Sequence, residues 1–70
     1  MEIGNRVRYD FAKSETKYKL GTIVRFSRAK VEVQWDYWCQ HDGTFWKNVK
    51  TSMVALHSLK LSTPSDEPKL

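Results

Sequence analysis

Cysteine is almost absent from this chain. The 70 residues hold one, Cys39, so no intramolecular disulfide can form and a stapled secreted miniprotein is excluded. Glycine and proline are scarce as well, at three and two residues. Gly4, Gly21 and Gly43 lie far apart, so there is no glycine-rich phosphate loop. Both prolines, Pro64 and Pro68, fall after Leu61. No run approaches the roughly 20 apolar residues that cross a bilayer as a helix. Met1 to Arg6 carries no apolar signal core. A reducing compartment, the cytoplasm or a eukaryotic nucleus, is therefore expected, with no membrane partner. There are two histidines, His41 and His57. Cys39-Gln40-His41-Asp42 offers two or three metal donors and no second pair to close a tetrahedral site. Nothing orients His41 as a base for Cys39, and nothing supplies an oxyanion site. A non-catalytic chain without metal or cofactor is the expectation.

What the chain does have is period-two patterning, which marks half-buried strands. Val7, Tyr9 and Phe11 alternate with Arg6, Arg8 and Asp10. Thr22 to Phe26 is β-branched and aromatic. Val31, Val33 and Trp35 alternate with Glu32, Gln34 and Asp36, and Ser27-Arg28-Ala29-Lys30 joins the two runs as a hairpin loop. Tyr37 continues the face of Trp35, which puts Trp38 and Trp46 opposite. Asp42-Gly43 is a hairpin turn signal. Thr44 to Lys50 then resumes a strand. Thr51 to Leu56 reads as one 3-10 turn, and His57 to Leu61 as a last strand. Ala12 to Tyr18, without an apolar stripe, reads as a loop. The core is expected from Val7, Val31, Val33, Trp35, Phe45 and Val49, with Ile23 or Val24, Phe26 and Leu56. Ser62 to Leu70 is polar and proline-bearing, the composition of a disordered tail. The chain is thus all-β and five-stranded, with one domain over residues 1–61 and a tail over 62–70.

Gly4-Asn5-Arg6-Val7-Arg8, Gly21-Thr22-Ile23-Val24, Val31-Glu32-Val33-Gln34-Trp35-Asp36 and Val54-Ala55-Leu56-His57-Ser58-Leu59 together resemble the SH3-like barrels of the Tudor/KOW kind. The resemblance spans residues 3–61. It implies a small closed five-stranded barrel with one 3-10 turn, in a superfamily rich in nucleic-acid binders. The plasmid-borne type II dihydrofolate reductases share this frame. Where their pore carries Val-Gln-Ile-Tyr, this chain reads Val49-Lys50-Thr51-Ser52, so their catalytic element is missing. Photosynthetic subunits that dock ferredoxin, and the Tudor readers of methylated side chains, share it too.

Charge and aromatics point to partners. Lysine and arginine outnumber acids 12 to 8, and residues 1–61 alone carry +5. Nine aromatics exceed what a barrel of this size buries, so Trp38 or Trp46 is expected at the surface. An exposed indole beside Lys47 and Lys50 suits single-stranded nucleic acid, which needs a stacking platform next to phosphate-neutralising charge. Arg6, Arg8 and Arg25 would form a basic stripe if the first two strands pair, with Arg28 and Lys30 at the hairpin end. The expected nucleic-acid contacts are Arg6, Arg8, Arg25, Arg28, Lys30, Trp38, Trp46 and Lys47. A protein-interaction module that uses the aromatic hairpin (an adaptor, a phage-type modulator of a host protein, or a methyl-lysine reader) is the competing expectation. An oligomeric reductase is a more distant one.

Overall fold

Residues 1–69 are described by a computed structural model. Five antiparallel strands form one sheet: β1 (Arg6–Asp10), β2 (Thr16–Ser27), β3 (Lys30–Gln40), β4 (Phe45–Ala55) and β5 (Lys60–Leu61). Their order is β4-β3-β2-β1-β5, so β4 and β5 are the edges of an open sheet. A 3-10 turn, Leu56–Ser58, leads into β5, and a second, Pro64–Asp66, follows it.

The boundaries depart from the sequence pattern in three places. β2 begins at Thr16 rather than near Lys19, because Thr16 and Tyr18 pair with Gln40 and Cys39. The polar run before it therefore shortens to a loop over residues 11–15. β4 runs through Thr51 to Ala55, where a 3-10 turn was expected. Met53 and Val54 pair with Glu32 and Val31, and the ladder overrides the local preference for a turn. The 3-10 turn is displaced to Leu56–Ser58, and the last strand shrinks to two residues. Residues 62–69 are not a loose tail. They fold back over β1 and β2 through ion pairs, and Leu70 lies outside the described residues.

One bulge decides which side chains share a face. Trp35 pairs with Gly21, but Tyr37 pairs with Leu20, so β3 has one extra residue, Asp36, against β2. Against β4 the same point spends two residues, Asn48 and Val49, opposite Asp36. The insertion reverses the alternation. Trp35 and Trp38 end up on one face, and Tyr37 and Cys39 on the other. Tyr37 opposes Trp38 and Trp46 as expected, but the expectation that it shares the face of Trp35, with both indoles opposite Trp35, is overturned by this bulge.

Each face therefore has its own apolar cluster. Val7, Ile23, Val31, Val33, Trp35 and Leu59 pack on one, with Tyr9 and Val54 at the margin. Tyr18, Leu20 and Cys39 pack on the other, with Tyr37 and Phe45. Of the expected core, Val49 is out in solvent at 60% exposure, and Val24, Phe26 and Leu56 are also exposed. Trp35 is fully buried and donates its Nε1–H to Ser52 Oγ at 2.8 Å, which satisfies its polar atom.

Candidate functional site

The first-cluster face continues past Trp35 into an aromatic and cationic surface. Tyr9, Phe11, Trp35 and Trp38 surround the ammonium of Lys19, whose Nζ lies 4.2 Å from the Trp35 ring centroid and 5.3–5.6 Å from the other three. The pairings Lys19 with Tyr9 and Lys19 with Trp38 place it between β1 and β3. Burial, and then the neighbouring Lys50, hold the Lys19 ammonium below the usual lysine range. No carboxylate among the described residues pairs with it, so ring quadrupoles are its local compensation.

Trp38 stacks on Phe11 with centroids 5.6 Å apart and planes 23° apart. Its Nε1–H is buried and finds no acceptor among the described residues. Directly across the ladder stands Trp46, 64% exposed. Between the two strands and the loop before β2 lies a cleft of about 370 Å³, lined by Glu15, Thr16, Trp38, Gln40, Trp46, Lys47 and Asn48. That is the low end of the range for small-ligand clefts, roughly 300–1,000 Å³. Lys47 and Lys50 are exposed on β4, without ion-pair partners among the described residues. Glu15 is the one acidic group on the rim.

The other expected contacts lie elsewhere. Arg6 donates from Nη1 to Asp36 at 2.7 Å and to Thr22 at 2.9 Å, and from Nη2 to Asp36 at 3.0 Å and Glu67 at 2.9 Å. Arg8 donates to Asp10 at 2.8 Å and to Asp66 at 2.7 Å, and its guanidinium lies 4.0 Å over the Tyr18 ring. Burial works against both cations, yet the carboxylates outweigh it and raise their proton affinity. Burial, then Cys39 and Asp66, push the Tyr18 hydroxyl up to about 12, and it donates to the Asp66 carbonyl at 2.8 Å. The tail's carboxylates thus occupy the arginine forks where phosphates were expected. Arg25 faces Glu32 at 3.6 Å. Arg28 is in the β2–β3 turn with φ 56°, and Lys30 opens β3. Trp38 lies eight residue steps along β3 from Lys30, about 26 Å. Of the eight expected residues, the structure brings together Trp38, Trp46 and Lys47 at one place, on one strand pair. Lys50, expected beside the exposed indole, and Lys19, which the sequence pattern did not single out, join them.

Cys39 is buried against Tyr18, whereas His41 is exposed on the turn with Nε2 2.5 Å from the Ser14 carbonyl, so the two do not converge. No protein family, curated protein or solved structure matches this chain.

Proposed function

We propose that this chain is a small non-catalytic binding module for single-stranded nucleic acid, built on an SH3-like frame. The observation that carries the reading is the cross-strand pair of Trp38 and Trp46, one indole stacked and one open, beside lysines without carboxylate partners. Trp46 stacks on a base, and Trp38 with Phe11 forms the floor of the cleft. Lys47 and Lys50 neutralise phosphates along β4, with Lys19 set behind them. Arg6 and Arg8 have no part in it, because four carboxylates hold them. A reader of methylated lysine would need an empty ring of aromatics. The four rings nearest to that description already enclose Lys19.

Anisotropy of a labelled oligo-dT tests this. Three lysines on the backbone give a log–log salt slope near −2 for a single strand. Lys47→Ala with Lys50→Ala flattens that slope. Glu15→Gln removes the one repulsive carboxylate from the rim and strengthens binding. Equal binding by the parent and the double-alanine chain sinks the assignment of the site.

A further inference from the structure

The two edges of the sheet are unlike. β5 is two residues long, which leaves almost no ladder for another strand to read. β4 is eleven residues long, and its residues 46–51 are all exposed. It contains no proline, no glycine and no acidic residue. One side of its backbone pairs with β3, and the other finds no backbone partner among the described residues. The bulge at Asn48 and Val49 divides it, so the uninterrupted part of the edge runs from Lys50 to Ala55.

A second copy of this chain fits that edge badly. Antiparallel β4–β4 pairing brings no acidic residue to Lys50, since β4 has none, and about the midpoint of the full strand it sets Lys50 opposite Lys50. The same lysines favour a partner of opposite sign. The nearest acids do not cancel them, since Glu32 is turned to Arg25 and Asp36 to Arg6.

We infer that the outer edge of β4 takes up an extended, acidic segment of a partner protein as a sixth strand. Main-chain hydrogen bonds along Lys50–Ala55 hold the segment, and its carboxylates on the Trp35 face lie against Lys50. Exposed Val49 and Met53 give its small apolar side chains something to cover. This use of the edge shares Lys50 with the nucleic-acid reading but not its indoles, so Trp46 tells the two apart.

The probe is a labelled peptide of about six residues with alternating Thr and Glu, compared with its Thr–Lys counterpart. Two further versions are N-methylated on one or the other set of alternate residues. Binding of the acidic peptide at least tenfold tighter than the basic one, lost on N-methylation of one set only, supports strand addition. Amide exchange then slows along Lys50–Ala55. Trp46→Ala leaves the peptide affinity unchanged while oligo-dT binding falls, so failure of either reading is seen separately. Equal binding of both peptides, no binding of either, or indifference to N-methylation overturns the proposal. So does a concentration-dependent dimer of the free chain whose formation protects the same amides, which would give the edge to a second copy. Protection of those amides by oligo-dT would give it to nucleic acid.

Discussion

Gly21 carries more of the fold than its size suggests. A Cβ there would sit 2.6 Å from Val33 Cγ1, 2.7 Å from the Gln34 carbonyl oxygen and 2.9 Å from Trp35 Cε3. Two of these neighbours are fully buried and the third is backbone, so none yields cheaply. Gly21→Ala should destabilise by about 1–3 kcal/mol through overpacking, read as a lower urea midpoint at unchanged m. Gly43 makes a useful contrast. Its surroundings are open, but its φ is +87°, so Gly43→Ala costs about 1–2 kcal/mol from backbone strain alone. A glycine just inside a strand is a visible signal of close approach. That Trp35 belongs to the core followed from alternation. The setting of Lys19 did not. A lysine in a polar run reads as solvated until β1 and β3 bring four rings around it.

At the scale of elements, the strands were legible where alternation is strict, over β1 and the first half of β3. The Asp36 bulge was not, because Tyr37-Trp38-Cys39 is a continuous apolar run in which no period of two can be read. The tail misled for a different reason. Its composition is that of a disordered segment, and the arginines that order it lie 61 and 58 positions before their partners. Docking of the tail depends on ionised carboxylates, which gives it a pH signature. Burial pushes the Asp66 carboxyl up, but the Thr63 backbone N–H and Arg8 more than offset it, so its proton affinity falls below the usual value. Asp10, similarly burdened by burial, is lowered by Arg8 and Lys60. Groups lowered in the folded state bind fewer protons there than in the unfolded chain. Their stabilisation is present above the ordinary carboxyl value of about 4 and is lost as pH falls through the lowered one. Amide relaxation should therefore show residues 63–67 as ordered as β1 at neutral pH and freely moving in acid. Arg8→Ala should loosen them at neutral pH. Both ion pairs of Arg8 are partly solvated, so the coupling to Asp66 in a double-mutant cycle should be small, about 1 kcal/mol or less.

For the whole molecule, the balance of charge matters more than its total. Arg6, Arg8, Arg25 and Lys60 are held by carboxylates. The excess of +4 therefore rests on lysines and Arg28 that lack such partners among the described residues, and several of these line the Trp38–Trp46 face and β4. The molecule is asymmetric in the same sense, with one face closed by its own acidic tail and the other presenting indoles and free ammonium groups. The charge count alone could not show this, because it treats a captive arginine and a free lysine alike. The most direct test of the account is indole quenching. Chains with Trp38→Phe or Trp46→Phe, leaving Trp35 buried as a silent reference, are titrated with oligo-dT at about 50 mM and about 200 mM salt. Strong quenching that disappears with Trp46→Phe, persists with Trp38→Phe and weakens at the higher salt is the predicted result. Unchanged fluorescence at low salt, or quenching indifferent to Trp46, would contradict the claim that this face binds single-stranded nucleic acid.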